Sequence, residues 1–496
     1  MSTLAMFLVA SYLGLLGVLS AYGLHRLFIL WLYRRHRHEV PCGRPLEALP
    51  VVTVQLPVFN ERAVVERLIN AACRLDWPAQ RLQIQVLDDS TDDTVALSRT
   101  VARRWRTQGI DVQVLHRRDR IGYKAGALAA GTEVARGEFL AVFDADFVPP
   151  ADFLQRVMPH FEKRPDVGMV QARWGHLNEH SNLLTRLEAV LLDGHFVLEH
   201  TARHRSGRFF NFNGTAGVWR RQCIHAAGGW QHDTLTEDLD LSYRAQMAGW
   251  SFVFLTNHVV PAEVPTDMAA FKIQQHRWAK GTIQTARKLL RTILQAPLPL
   301  RVRCEALVHL SSNLAYPFVL GLAILLPPTI FIRGRSGLTE LLLLDLPAFL
   351  LSSVSVAAFY LAAEREAHGT VWGRVWRVPL VMSLGIGMAV SQSIAVLEGL
   401  FGDDVTFVRT PKAGDVDGEG SRLPAYLAKV GWSPFVELAL AGYLALATAL
   451  VIERGWYASV PFLLLFGFGF GYVGLLSLRP LLVRSVRWMP VADPGR

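Results

Sequence analysis

The stretch Phe139-Leu140-Ala141-Val142-Phe143-Asp144-Ala145-Asp146 sets five apolar residues directly before two carboxylates. An apolar run of this length predicts a buried strand, and the carboxylates then lie at its carboxyl end. Because side chains two positions apart in a strand point to the same side, Asp144 and Asp146 can face one ligand. Taken alone, the pair also fits an acidic turn before Pro149-Pro150.

Similar apolar runs alternate with helical patterns across residues 50–260. Strands are predicted over 51–56, 82–87, 112–115 and 139–143, and helices over 61–74 and 92–106. This alternation predicts an α/β domain with a mostly parallel sheet and helices on both faces. Ligands bind such sheets at the carboxyl ends of the strands. Three polar clusters are expected there: Asn60-Glu61, Asp88-Asp89 and Asp144-Ala145-Asp146.

The composition favours a membrane protein. Of the 496 residues, 51% are hydrophobic and 19% are charged, whereas about a quarter are charged in soluble domains. The net charge of +9 fits contact with phosphates or with an anionic lipid surface. The Lys and Arg residues do not gather into one basic face, so nucleic acid is not an expected partner. The four Cys residues lack the spacing of a zinc site.

Apolar runs at both ends of the chain predict an α-helical transmembrane domain of about five spans. Residues 4–33 are followed by Arg34-Arg35-His36-Arg37-His38, which predicts an uncleaved anchor with residues 34–300 in the cytosol. Further runs lie at 305–332, 338–363, 376–400, 433–452 and 457–478. The run 376–400 carries several polar side chains, so we expect it to lie in the interface or to re-enter. The loop 401–432 then faces the cytosol.

These patterns divide the chain into six parts. They are an N-terminal transmembrane anchor over 1–33, a cytosolic α/β domain over 34–268, interfacial helices over 269–300, transmembrane and interfacial helices over 301–400, a cytosolic loop over 401–432, and a C-terminal transmembrane pair with a basic tail over 433–496. The expected location is the cell's inner (plasma) membrane, with several passes and the α/β domain in the cytosol.

The acidic clusters suit the chemistry of a nucleotide sugar. Departure of its diphosphate builds negative charge, which a divalent ion held by Asp144 and Asp146 would neutralise. Lys124, in a glycine-flanked turn, could reach a phosphate or could lie on the surface. Asp88 and Asp89 suit hydrogen bonds to a base or ribose. The alternative is a helix N-cap formed by residues 90–92, and the two interpretations are compatible.

The stretch Thr236-Glu237-Asp238-Leu239-Asp240 offers a base for an inverting transfer. Such a transfer needs a group that takes the proton from the acceptor hydroxyl while the sugar passes through an oxocarbenium-like state. Asp238 is our candidate, and Glu237 or Asp240 could take its place. The alternative is the acidic first turn of a helix that ends near Met247.

The stretch Gln274-Gln275-His276-Arg277-Trp278 lies in a predicted helix over 268–290. Gln274, Arg277 and Trp278 share one face of that helix. An Arg can neutralise a diphosphate with two hydrogen bonds, and a Trp ring offers a flat platform for a sugar. The alternative is an amphipathic helix at the membrane surface.

An ordered set of four motifs resembles the D, DxD, TED, QxxRW signature of processive family 2 glycosyltransferases: Asp89, Asp144-x-Asp146, Thr236-Glu237-Asp238 and Gln274-x-x-Arg277-Trp278. Bacterial cellulose synthase, chitin synthase and hyaluronan synthase belong to that family. The resemblance covers about residues 50–412. It implies a nucleotide-sugar transferase domain under a transmembrane channel, and a Mg²⁺ or Mn²⁺ cofactor.

The resemblance also implies roles for individual residues. Asp144 and Asp146 would handle the diphosphate and the metal, and Asp238 would be the base. Gln274, Arg277 and Trp278 would hold the acceptor end and the diphosphate.

Two further segments narrow the resemblance. The segment from Phe212 to Arg220, with Gly214 and Thr215, looks like the acceptor-side loop of plant cellulose-synthase-like glucomannan synthases. The segment Phe407-Val408-Arg409-Thr410-Pro411-Lys412 is similar to the FxVTxK gating loop of cellulose synthase, with Arg409 in place of the Val. Phe407, Thr410 and Lys412 are the expected gating residues.

The sequence thus predicts a membrane-embedded processive inverting glycosyltransferase that makes and exports a β-linked polysaccharide. A β-1,4-glucan or (gluco)mannan is expected, from UDP-glucose or GDP-mannose, with the growing polysaccharide as acceptor. The alternative enzyme glycosylates a lipid, but such enzymes generally lack a full QxxRW followed by a gating-type loop. An inactive channel or scaffold would carry disrupted acidic motifs, and here all of them are present.

Overall fold

A seven-stranded sheet forms the centre of the α/β domain. The computed structural model describes residues 2–336, 340–410, 414 and 431–487. Its strands are β1 Val52–Val58, β2 Leu82–Asp88, β3 Asp111–His116, β4 Phe139–Val142, β5 Val167–His176, β6 Gly217–Arg220 and β7 Ser251–Ala262. Their order is β3-β2-β1-β4-β6-β5-β7. β6 runs antiparallel to β4 and β5, and the other pairs are parallel, so the predicted mostly parallel sheet is confirmed.

Helices pack on the two faces of this sheet. The first helix of the chain, α1 Thr3–His36, packs mainly on later apolar helices. The next eight helices are α2 Val65–Cys73, α3 Thr94–Arg106, α4 Tyr123–Glu133, α5 Phe153–Val157, α6 Leu183–Asp193, α7 Thr201–Arg205, α8 Arg221–Ala226 and α9 Glu237–Met247. Phe139 and Ala141 of β4 lie in one apolar core with Leu68 of α2, whereas Leu140 and Val142 lie in a second core with α4. This alternation is what a sheet covered on both faces requires.

The second half of the chain is helical. Its helices are α10 Met268–Gln295, α11 Leu300–Ser311, α12 Ala315–Arg335, α13 Glu340–His368, α14 Arg377–Gly387, α15 Ala389–Phe401, α16 Ser433–Glu453 and α17 Val460–Arg487. Five stretches in the described residues are long and apolar enough to cross a membrane: Thr3–His36, Leu300–Arg335, Pro347–His368, Ser433–Glu453 and Tyr457–Arg479. The expected number of about five spans therefore holds.

The run predicted as interfacial or re-entrant over 376–400 is a bent pair of helices. α14 and α15 meet at an angle of 48°. This geometry fits either a broken span or a re-entrant segment, so the topology of this run stays a prediction.

Ion pairs join α10 to the membrane helices. Lys280 Nζ lies 3.1 Å from Glu398 Oε2 of α15, and Lys272 Nζ lies 2.7 Å from Glu437 Oε1 of α16. Arg287 Nη1 donates to the carbonyl of Gly402, at 3.0 Å. These contacts fix the helix that carries the QxxRW motif between the sheet and the membrane helices.

Candidate active site

A cleft lies at the carboxyl ends of β1, β2 and β4, where the sequence places its polar clusters. α10 and the side chains of Phe407, Arg409 and Thr410 also line it. Most of the predicted site residues line this cleft: Asp89, Lys124, Asp144, Asp146, Glu237, Asp238, Gln274, Arg277, Trp278, Phe407 and Thr410. Asp88, Gly214 and Thr215 are not among the lining residues, and Lys412 lies outside the described residues. Four motifs that are far apart in the sequence thus meet in one cleft.

Lys124 is in contact with the acidic cluster, so the reading of it as a surface lysine is wrong. Its Nζ lies 2.5 Å from Asp144 Oδ1 and 3.9 Å from Glu237 Oε1. It also donates to the carbonyl of Gly214, at 3.1 Å. Burial alone would lower the pKa of Lys124, but the carboxylates of Asp144 and Glu237 outweigh it and raise the pKa. The lysine is therefore charged at neutral pH.

Asp238 combines a half-buried position with a perturbed pKa. It lies in the first turn of α9, where its Oδ1 accepts from the backbone N–H of Leu239, at 2.8 Å. Burial and the neighbouring carboxylate of Glu237 raise its pKa to about 7, against the opposing charge of Lys124. The readings of Asp238 as part of an acidic first turn and as a cleft residue both hold. A carboxyl that titrates near neutrality is well matched to proton transfer.

The structure also distinguishes between Glu237 and Asp240, the two alternative candidates for the base. Asp240 is fully buried and lies 2.6 Å from Arg244 Nη2 and 2.9 Å from Lys288 Nζ. It does not line the cleft, so it is excluded as the base. Glu237 does line the cleft, and burial raises its pKa.

Asp88, the last residue of β2, and Asp89, which follows it, have different contacts. Asp88 is fully buried, and its Oδ1 accepts from the backbone N–H of Ser90, at 2.8 Å. The prediction that Asp88 faces a nucleotide is therefore corrected, because its side chain stabilises the turn between β2 and α3. Asp89 faces the cleft and is held by Arg117, whose Nε and Nη2 donate to its two oxygens at 2.8 and 2.6 Å.

Gly214 and Thr215 lie behind the cleft wall and not in it. Gly214 has a φ of +82°, and an added Cβ would lie 3.0 Å from Asp238 Oδ2 and 3.1 Å from Lys124 Nζ. Thr215 is fully buried, and its Oγ1 accepts from the backbone N–H of Asp144, at 2.9 Å. The expectation that Gly214 and Thr215 bind the acceptor is therefore corrected. These two residues instead position Asp144, Asp238 and Lys124.

The predicted face of α10 lines the cleft with three side chains. The guanidinium of Arg277 lies 4.6 Å from the centre of the Phe407 ring. The Trp278 ring centre lies 6.5 Å from that of Trp174. Gln274 is buried and also lines the cleft. The membrane-surface reading of this helix therefore does not account for its inward face.

Several cleft residues were not predicted as site residues. The guanidinium of Arg120 lies 3.3 Å from the centre of the Phe59 ring, and Arg409 Nη1 lies 2.9 Å from Glu61 Oε2. Trp174, at the end of β5, adds a second indole. The position of Asn60-Glu61 directly after a predicted strand indicates that Glu61 lies near the cleft, but it does not indicate the ion pair with Arg409.

A second cavity continues from the cleft between the membrane helices. Trp174, Asp238 and Trp278 line both spaces. Farther in, the walls are formed by α1, α12, α13, α14 and α17, and they include the polar side chains of Tyr22, Arg26, Tyr316 and Tyr360.

The comparison with known proteins identifies the domain. Residues 50–281 match the family described as glycosyltransferase like family 2. The chain carries a family 2 glycosyltransferase domain. The family domain begins just before β1 and ends in α10, so it includes all four motifs of the cleft.

Plant enzymes are among the most similar curated relatives of this glycosyltransferase domain. The chain is 46% identical to glucomannan 4-beta-mannosyltransferase 2 of Arabidopsis thaliana over 250 residues, which cover 50% of this chain and 47% of the relative. It is 44% identical to glucomannan 4-beta-mannosyltransferase 1 of Oryza sativa subsp. japonica over 270 residues, which cover 53% and 52%. The chain thus spans about half the length of these relatives.

A solved structure shares the fold. It is a mannosyltransferase from Pyrobaculum calidifontis in complex with GDP-Man and Mn²⁺. The TM-score is 0.52 at 20% sequence identity, and the match covers 74% of this chain and 99% of the other.

The glycosyltransferase domain offers two carboxylates for a divalent ion. Asp144 and Asp146 both line the cleft. In the described part of the chain, no three or more His, Cys, Asp and Glu side chains come together as a metal-binding group. Mg²⁺ and Mn²⁺ are hard ions that nucleotide enzymes bind through one or two carboxylates plus phosphate oxygens. The residues present fit that mode, in which the nucleotide completes the site.

Proposed function

We propose that this protein is a membrane-embedded inverting glycosyltransferase that polymerises and exports a β-linked polysaccharide. One observation carries the proposal. The cleft with the acidic cluster continues into the cavity between the membrane helices, and Asp238 and Trp278 line both. A donor in the cleft and a polymer in the cavity would then meet at Asp238. A chain that stays in the cavity after each transfer would be elongated processively.

The donor that we propose is GDP-mannose, and the product is a β-1,4-linked (gluco)mannan. The relatives support this choice, because they are named glucomannan 4-beta-mannosyltransferases. The Pyrobaculum enzyme, which was solved with GDP-Man, has the same fold. UDP-glucose and a β-1,4-glucan are the alternative.

The donor's diphosphate would lie between the carboxylates and two cations. Asp144 and Asp146 would hold a Mg²⁺ or Mn²⁺ ion, which supplies positive charge to the phosphate oxygens when it is bound. Arg277 lies on the opposite wall and can donate two parallel hydrogen bonds to phosphate. Lys124 adds a point charge beside Asp144.

Asp238 would act as the base. It takes the proton from the acceptor hydroxyl as that oxygen bonds to the anomeric carbon and the bond from this carbon to the diphosphate breaks. Attack from the face opposite the leaving group inverts the configuration. The pKa of about 7 keeps a large fraction of Asp238 deprotonated at neutral pH while leaving it basic enough to accept a proton.

The acceptor end would bind against the two indoles. The ring centres of Trp174 and Trp278 lie 6.5 Å apart, with the ring planes at 55°, and both residues line the cleft and the cavity. Aromatic rings bind the apolar faces of sugars, and Gln274 adds a polar group on the cleft side. The segment with Phe407 and Thr410 would close the donor side as a gating loop.

The orientation that we propose puts the cleft in the cytosol and the far end of the cavity on the outer side of a plasma (inner) membrane. The basic residues from Arg34 to His38 follow the first span directly, and such residues favour the cytosolic side. Residues 402–410, which border the cleft, then also lie in the cytosol.

The test uses membranes that contain the full chain and one labelled donor at a time: GDP-mannose, UDP-glucose or UDP-N-acetylglucosamine. We expect a polymer from GDP-mannose that endo-β-1,4-mannanase digests. Asp238→Asn is the inactive control. If all of the label is extracted into organic solvent as a short glycolipid, the enzyme glycosylates a lipid and the processive reading fails.

A further inference from the structure

The residues that follow α15 form one wall of the cleft. We call residues 402–410 the strap. At its beginning, Arg287 Nη1 donates to the carbonyl of Gly402, at 3.0 Å. Near its end, Phe407, Arg409 and Thr410 line the cleft. The strap bounds the cleft without filling it, so a ligand can lie beneath a closed strap.

Arg409 binds the opposite rim of the cleft. Its Nη1 lies 2.9 Å from Glu61 Oε2 and also donates to the carbonyl of Asn60. The side chains of Arg409 and Glu61 are only 23% and 10% exposed. An ion pair shielded in this way, with a second hydrogen bond to the backbone, is held more firmly than an exposed surface pair.

Asn60, whose carbonyl accepts from Arg409, is held in place by the turn after β2. Asn60 has a φ of +54°, which is uncommon for a residue other than glycine. Its backbone N–H donates to Ser90 Oγ, and its Oδ1 accepts from the backbone N–H of Thr91, both at 2.8 Å. These two hydrogen bonds fix the backbone of Asn60 in the orientation in which its carbonyl accepts from Arg409.

Phe407 links the strap to Arg277, the side chain that is expected to bind the diphosphate. Its ring centre lies 4.6 Å from the Arg277 guanidinium and 6.0 Å from the Tyr123 ring centre. One residue separates Phe407 from Arg409, so the anchor at Glu61 limits how far the ring can move. Release of Arg409 would free the ring from Arg277 as well.

We propose that Arg409 is a positioning residue whose ion pair with Glu61 holds the strap closed over the bound nucleotide. The pair keeps Phe407 against Arg277, and it slows the release of the nucleoside diphosphate. The inference rests on the proposed function, because it needs a nucleotide in the cleft. It assigns to Arg409 a role that a Val at this position could not have, since Val offers no charge to Glu61.

The test measures nucleotide release directly. The full chain is reconstituted in nanodiscs with Mn²⁺, and dissociation of the fluorescent nucleotides mant-GDP and mant-UDP is followed by stopped flow. For whichever of the two nucleotides binds, we expect Arg409→Gln to raise the dissociation rate about tenfold. Arg409→Lys, which keeps the charge, should raise it less. Arg62→Gln is the matched control, because Arg62 lies next to Glu61 and forms an exposed ion pair with Asp93.

A double-mutant cycle separates the pair from independent effects. Glu61→Gln combined with Arg409→Gln should release nucleotide about as fast as the faster single variant. Rates that multiply to about a hundredfold overturn the proposal, and so does an Arg409→Gln rate within twofold of wild type. If the wild type binds nucleotide but transfers no sugar, the proposed function fails and the release rates still decide the role of Arg409. If it binds neither nucleotide, both fail.

Discussion

The ammonium group of Lys124 lies 2.5 Å from Oδ1 of Asp144. The lysine lies in the first turn of α4 and the carboxylate lies two residues after β4, so the pair joins a helix to the loop that follows a strand. Lys124 also lowers the pKa of Asp238, which burial and Glu237 raise. One lysine therefore influences both the proposed metal side and the proposed base.

Lys124→Met should weaken donor binding and shift the pH profile. Loss of the charge removes a partner of the diphosphate, so we expect the donor KM to rise about tenfold. It also removes the charge that lowers the pKa of Asp238, so the rising limb of kcat/KM should move to higher pH. Steady-state kinetics between pH 5.5 and 9 measure both effects. Arg104→Gln, which breaks an exposed pair with Glu66, should change neither, and an unshifted limb would contradict the coupling.

Asp238 sets a second pH dependence. Activity should fall below about pH 7, because the protonated carboxyl cannot accept a proton. Asp238→Asn should abolish transfer, by about a thousandfold or more in kcat. The raised pKa means that the folded state binds this proton more tightly than the unfolded state, whose value is about 3.9. The carboxylate therefore destabilises the fold as the pH rises from about 4 through 7.

The same variant should accordingly be more stable than the wild type. Thermal unfolding in detergent should give Asp238→Asn a higher Tm at pH 8, and the difference should shrink towards pH 4. A Tm difference that does not depend on pH would show that the carboxyl is not strained by burial and Glu237. Asp403→Asn, on an exposed surface carboxylate, is the matched control.

Gly214→Ala should reduce activity more than its stability cost explains. The positive φ costs an alanine about 1–2 kcal/mol, and the new Cβ would lie 3.0 Å from Asp238 Oδ2 and 3.1 Å from Lys124 Nζ. We expect kcat to fall at least tenfold. Gly229→Ala is the control, because its φ is +72° and nothing lies within 4 Å of the added Cβ. Equal losses of activity in the two variants would refute a specific role of Gly214.

The buried pair of Lys272 and Glu437 should be important for stability. Glu437 is fully buried in a membrane helix, and Lys272 is 13% exposed. Glu437→Gln leaves a lysine without its counter-charge, so we expect a loss of about 3–5 kcal/mol in the free energy of unfolding. The double variant Lys272→Met with Glu437→Gln should be more stable than the single one. Unfolding in detergent compares the two, and a less stable double variant would refute the pairing.

Much of the fold follows from local patterns in the sequence. β1, β2 and β4 are apolar runs followed by acids, and these strands place the cleft. β5 carries Gln171, Arg173 and His176 within a strand, and β6 has only four residues. Neither has a clear two-residue period, because these strands are stabilised by partners distant in sequence.

The cleft residues that belong to the four sequence motifs could be predicted from the sequence. The choice between Asp238 and Asp240 could not, because it depends on where Arg244 and Lys288 pack. Likewise, the local sequence around Gly214 does not reveal that its missing side chain leaves room for Asp238 and Lys124. Such roles arise from tertiary contacts, which no spacing rule encodes.

α10 carries Trp278 and is also ion-paired to α15 through Glu398 and to α16 through Glu437. Its indole therefore moves with two helices of the membrane domain. A bilayer whose hydrocarbon thickness tilts those helices would change the distance between the indole and the carboxylates on α9. If the protein elongates a polysaccharide as proposed, we expect its elongation rate to depend on the lipid composition of the host membrane.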